Sequence, residues 1–181
     1  MDRRAFLHSG VAVAGVALAG CGSDAPMGTL ATYVSDRPGD IGDFDSCVVS
    51  VDEIRVLPTA AATETEDHEG DELTFSVGGV TLDLVDLTGE AAALADTVEL
   101  QTGEYVYLKL GVSAVEASLS DGGTAMVSTP GNAHLKFPHP FEIRADETTR
   151  FTADFTPVAQ GETGRYVLSP VAEETTVRYE S

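Results

Sequence analysis

The sequence predicts an all-β fold, an antiparallel β-sandwich with at most one short helix. Three observations predict it: apolar residues recur at every second position, glycine-rich turn signals separate the runs, and helical periodicity is almost absent. Leu30, Thr32 and Val34 alternate with Ala31, Tyr33 and Ser35, and Asp36-Arg37-Pro38-Gly39-Asp40 stops this first strand. Cys47, Val49 and Val51 share one face of the next run. Ile54 and Val56 then continue on the other parity, so a β-bulge is expected near Asp52-Glu53. The same slip recurs where Val106, Leu108, Leu110 and Val112 give way to Val115, Ala117 and Leu119, which requires a bulge or a sheet switch at Ser113-Ala114.

Further strands are expected at 73–77, 80–85, 125–128, 135–137, 141–144, 151–155, 166–171 and 175–179. Gly78-Gly79 and Asp121-Gly122-Gly123 are the clearest hairpin signals, because glycine reaches the positive φ that tight turns need. One short helix is expected at Glu90–Leu94, where alanines follow Thr88 as a cap. Residues 59–71, with Glu64, Glu66, Asp67 and Glu69, lack periodicity and are expected to form an acidic, solvated loop.

The first residues specify a location. Arg3-Arg4 precede Phe6-Leu7 and a glycine-interrupted apolar run from Val11 to Ala19. Paired arginines before a weakly apolar core are a twin-arginine export signal, and the run is too short and broken for a permanent span of roughly 20 apolar residues. Leu18-Ala19-Gly20-Cys21 follows, which resembles a lipobox: small residues admit a peptidase, and the Cys21 sulfur receives a lipid carrying two chains. Two chains matter, since one alone gives only marginal membrane binding. The expected organisation is therefore a signal peptide over 1–20, a tether over 21–27 after lipidated Cys21, and a single sandwich domain over 28–179 at the outer face of the membrane.

Charge bounds the partners. The chain carries 10 Lys+Arg against 30 Asp+Glu, a net charge of −20, and its only lysines are Lys109 and Lys136. Such a surface repels nucleic acid, so none is expected as a partner. With 43% hydrophobic residues it still holds enough apolar material for a core, a combination that suggests a halophile. With Cys21 lipidated, Cys47 has no disulfide partner.

Asp36, Asp40, Asp43 and Asp45 could gather oxygens around Ca²⁺, but their spacing does not follow an EF-hand, and solvated surface is the preferred reading. No cofactor is otherwise expected. His68, His134, His139 and Cys47 supply few ligands for zinc, and Cys47, on one face with Val49 and Val51, reads as a buried inert thiol. There is no Gly-x-Ser-x-Gly elbow, His-Glu-x-x-His helix or phosphate loop. Tyr105, Tyr107 and Lys109, opposite the aliphatic stripe of their strand, are a candidate partner surface for a protein or glycan, with simple packing as the plainer alternative.

The strand texts carry a resemblance. The pieces are Gly28-Thr29-Leu30 through Ser35-Asp36-Arg37-Pro38, Phe44 through Val56, Leu82-Asp83-Leu84-Val85-Asp86-Leu87, Gln101 through Leu110, His134-Leu135-Lys136-Phe137 and Gly164 through Val171. In this order they resemble the family catalogued as domain of unknown function 4382, found in archaeal and bacterial envelope lipoproteins. Arg37 stands where that family often has alanine, and its tryptophan before the central Asp-Leu segment is absent. The resemblance implies architecture and location but no mechanism. Gly103-Glu104-Tyr105, leading into a strand, is similar to transthyretin-like sandwiches, and an immunoglobulin-like arrangement fits the same class.

The reading that follows is a lipid-anchored, non-enzymatic binding or structural module of the envelope. The alternative is an envelope hydrolase or metal-dependent enzyme with its site on the sandwich loops. Molar salt shortens the Debye length to about 3 Å and screens the self-repulsion of this acidic surface. The domain is therefore expected to lose tertiary structure on dialysis to low salt, which near-ultraviolet circular dichroism would follow; an unfolding midpoint independent of salt would refute the halophilic reading.

Overall fold

The computed structural model describes residues 25–36, 39–62, 70–130 and 134–181. The signal Arg3-Arg4, Cys21, Arg37 and the acidic stretch Glu64–Glu69 lie outside the described residues. Strand β1 (Met27–Asp36) is buried along nearly its whole length because it is sandwiched between two partners. It runs antiparallel to β4 (Ala93–Gln101) and parallel to β9 (Thr148–Ala159). Leu30, Thr32, Val34 and Asp36 point into the core from it, each fully buried.

β2 (Phe44–Pro58) lies between β3 (Leu73–Asp83) and β5 (Gly103–Leu119). Both of its ladders shift register between Val51 and Glu53, so the expected bulge is present and carries the apolar face from Val51 to Ile54. The second slip is a bulge too: Ser50 pairs with Ala114 and Val51 with Val112, which leaves Ser113 as the extra residue. A Cβ at Gly111 would meet the Glu53 Cβ at 2.9 Å, so glycine is what lets the bulged strand lie this close.

The hairpin at Asp121-Gly122-Gly123 joins β5 to β6 (Thr124–Ser128) as expected, with Gly122 at φ 92. Gly78-Gly79 is a correction. β3 continues through both glycines, whose positive φ makes a bulge opposite Asp52 rather than a chain reversal. The helix expected at Glu90–Leu94 is also absent. A 3₁₀ turn at Leu84–Leu87 precedes it, closed by the Asp83 side chain accepting from Val85 N–H, and β4 begins at Ala93. Alanine propensity is weak, and pairing along β1 overrides it.

β6 is the hinge between two sheets, since it pairs with β5 on one side and runs parallel to β10 (Arg165–Pro170) on the other. The path β3-β2-β5-β6-β10-β9-β1-β4 is thus a sheet nearly closed into a barrel, open only between β3 and β4. β7 (Leu135–Phe137) and β8 (Phe141–Ile143) pair with β5, and β11 (Thr176–Glu180) pairs with β9. The all-β sandwich class therefore holds, with two parallel ladders that the antiparallel expectation did not include. Among the described residues no helix is long and apolar enough to cross a membrane.

Aromatic rings tie the sheets together. Phe137 on one sheet meets Phe155 (5.3 Å between centroids) and Phe151 (6.4 Å) on the other, both edge to face, and Phe141 meets Phe151 at 5.4 Å. All three rings of the first group are fully buried. Removing such a ring costs roughly 3–5 kcal/mol, and in a domain of this size each kcal/mol moves the unfolding midpoint by about 2–4 °C. Phe137→Ala should therefore lower the thermal midpoint in molar salt by roughly 10 °C, as calorimetry would measure.

Candidate functional site

Tyr105 and Tyr107 are buried, each 3% exposed. Tyr105 stacks on Phe141 at 5.2 Å and donates its hydroxyl to the Gln101 carbonyl. Tyr107 donates to Glu72 Oε1 at 2.6 Å, and the Lys136 ammonium lies 3.9 Å from its ring centroid. Lys109 Nζ reaches the same Glu72 oxygen at 2.5 Å, and Arg55 approaches the other Glu72 oxygen at 3.6 Å.

The result is an ion network on the outer face of β2, β5 and β7, centred on a fully buried Glu72 carboxylate. Burial alone would push Glu72 up. The hydrogen bonds from Lys109 and Tyr107 and the charges of Lys109 and Arg55 outweigh it and hold the carboxyl below its ordinary range. Glu53 follows the same logic, with burial opposed by hydrogen bonds from Arg55 and His134, the latter at 2.6 Å. Both lysines of the chain belong to this cluster. It fastens residue 72, at the end of the acidic loop, onto the sheet.

The four aspartates named as a calcium candidate are placed differently from one another. Asp36 points into the core with neither carboxylate oxygen hydrogen-bonded. Asp40 accepts from the Ala159 N–H, Asp43 accepts from the Tyr166 hydroxyl, and Asp45 is exposed. Among the described residues no group of three or more His, Cys, Asp or Glu side chains is assembled as a metal site would need. His134 is held by Glu53, and His139 lies edge-on to Phe151.

Cys47 is fully buried and free. Burial, then Asp83 and Asp36, pushes its thiol up to about 12, so thiolate chemistry is suppressed.

Asp154 is a buried carboxylate that sequence reasoning missed. Asp154 accepts from Ser35 Oγ at 2.9 Å and is 1% exposed. It forms part of the floor of a polar cavity of about 340 Å³ on the outer face of β1, β9 and β11, with Arg150, Arg178 and Glu174 on its walls. Arg150 and Arg178 are directly paired across β9 and β11, an arrangement of like charges that needs nearby carboxylates to be tolerable. Arg150 also stacks its guanidinium 3.7 Å from the Tyr33 ring. The legible signal was an acid inside an apolar strand, Phe151-Thr152-Ala153-Asp154-Phe155.

The model of the domain of unknown function family DUF4382 matches residues 27–170, from the first strand to the end of β10. The chain belongs to this family. No curated protein matches the sequence.

Asp36 makes the stability of this DUF4382 domain depend on pH. Burial, with the Asp154 charge added, raises its carboxyl from 3.8 to about 8. A raised folded-state value means that the contribution to stability is complete below 3.8 and is lost as pH rises through about 8. Glu53 and Glu72, held low, act in the opposite sense and only below 4.5, so the upper part of the window belongs to Asp36. Asp36→Asn should abolish the decline in unfolding midpoint between pH 4.5 and about 8, and should leave the variant more stable than the parent at the alkaline end. Denaturant titrations across that range would test it.

Proposed function

We propose that this chain is a lipid-anchored, non-enzymatic binding or structural module, carried at the outer face of the membrane of a halophile. One observation carries the reading: β1 begins at Met27, six residues after Cys21, so a lipid there would hold the barrel by one defined end. Pro26 and Met27 are bonded to Thr102 and Asp146, which form that end together with the loop before β9. A tether of six residues spans at most about 20 Å, so the domain stays close to the bilayer.

The opposite end carries Asp40, Asp43 and Asp121 around Tyr166, whose hydroxyl these acids and its own burial push up. It would face outward and meet a protein, glycan or cation. The engagement of Tyr105, Tyr107, Lys109 and His134 in internal bonds supports a structural rather than a catalytic use of those side chains. Calcium at Asp36, Asp40, Asp43 and Asp45 would require Asp36 to turn out of the core, and equilibrium dialysis against calcium in molar salt addresses it.

Export and anchoring are tested by two variants. Cys21→Ser should release the folded domain into the medium or leave an unprocessed precursor, and replacing Arg3 and Arg4 by lysines should retain it in the cytoplasm. Immunoblots of the cell, membrane and medium fractions distinguish these outcomes. If both variants still reach the membrane, the anchor lies elsewhere. Crosslinking in native membranes would then identify the partner.

A further inference from the structure

The gap between the edge strands β3 and β4 opens into a second cavity, of about 590 Å³, at the end of the barrel where the chain enters. This is within the roughly 300–1,000 Å³ typical of small-molecule sites. Its walls are mainly apolar: Met27, Leu73, Phe75, Leu100 and Tyr105. Met27 and Leu73, at 41% and 40% exposure, are among the most exposed large hydrophobic residues of the described chain. Leu100 and Tyr105, at 1% and 3%, belong to the core itself. The cavity is therefore a dip in the core surface, uncovered because the barrel does not close there.

We propose that this cavity takes one hydrocarbon chain of the lipid on the protein's own Cys21. The proposal rests on the lipid-anchored reading above. The length and end-point of the tether carry it. The six residues from Cys21 lead to Met27, which is both the first residue of β1 and a wall of the cavity, and their maximum reach of about 20 Å keeps a lipid on residue 21 near the mouth. The rim sets the chemistry of the occupant. Glu99 and Glu104 line it, no lysine or arginine does among the described residues, and a free fatty acid or an anionic lipid would bring its headgroup against these carboxylates. An uncharged hydrocarbon tail on a thioether-linked glycerol meets no such penalty. A lipid bearing two chains can place one in the cavity and leave the other in the bilayer, which would orient the barrel with its open seam toward the membrane.

The test compares amide hydrogen exchange in molar salt for the native chain in vesicles and for the Cys21→Ser chain in solution, the latter with and without vesicles of the same lipids. Residues 73–75 and 99–105 should exchange about tenfold more slowly in the lipid-bearing chain, and added vesicles should not protect the Cys21→Ser chain. Ala60→Trp, at the exposed mouth, should slow exchange of the same segments without lipid and remove the difference between the two forms. Equal exchange in lipid-bearing and Cys21→Ser chains overturns the proposal. So does protection of the Cys21→Ser chain by vesicles, which would assign the cavity to a lipid in trans. Protection spread equally over residues 144–147, at the same end but outside the cavity, would mean contact with the bilayer surface and also overturns it. The mass of the N-terminal fragment separates the two readings: lipid present with an unprotected cavity overturns this inference alone, whereas absence of lipid overturns the anchor as well.

Discussion

The two sheets are held together by edge-to-face contacts among Phe137, Phe151, Phe155 and Phe141, and the other features of the molecule are arranged around that junction. Each such contact contributes about 0.5–1.5 kcal/mol beyond the area it buries. Phe137 and Phe141 stand on the two short strands that pair with β5, while Phe151 and Phe155 stand on β9, the partner of β1. The chain has no tryptophan, and Phe137, Phe151 and Phe155 are the largest fully buried side chains among the described residues.

Charge is distributed to match. In a chain of net charge −20 the cations are scarce, and both lysines and Arg55 are concentrated on one outer face around Glu72. A buried ion pair of this kind contributes little relative to an apolar substitute, but removing one partner would leave an isolated charge, so the cluster fixes geometry more than it adds stability. Arg150 and Arg178 are similarly drawn to a single cavity on the other sheet, with Asp154 and Glu174 beside them. Asp36 in the core apart, the remaining acidic residues among the described ones are at least partly exposed. That division keeps most of the negative charge at the surface and away from the apolar core.

Much of this architecture was legible in residue order. The parity changes near Asp52-Glu53 and Ser113-Ala114 could be read directly, because a bulge moves every following side chain to the other face, although at the second a sheet switch fitted equally until the ladder showed a bulge. β4 was not legible. Its buried positions are Ala95 and Leu100, an alternation diluted by alanine and by an exposed Leu94, so local propensity pointed to a helix while pairing with β1 decided otherwise. The glycines at 78 and 79 satisfied the chemistry of a turn and a bulge equally, and only the continuous partner strand distinguishes the two. Of the candidate surface residues, Tyr107 and Lys109 lie opposite the aliphatic stripe as their spacing implied. Glu72 covers them, a contact across 35 residues that periodicity does not encode. Asp36 looked like a turn acid and is instead the last inward-facing residue of β1.

The placement of β1 has a consequence for how the chain comes into being. Its parallel partner begins at Thr148, so the first strand to be synthesised cannot be enclosed until nearly the whole domain has been made. Long-range parallel pairing of this kind is slow, since the entropy of closing the intervening loop must be overcome before the contacts form. A ribosome-coupled, strand-by-strand order of assembly is therefore unsuited to this topology. The open seam beside β4 and the apolar positions of β1 stay vulnerable to mispairing until residues 148–159 arrive. Enclosure of β1 is therefore a late step of folding, completed only when β9 is available.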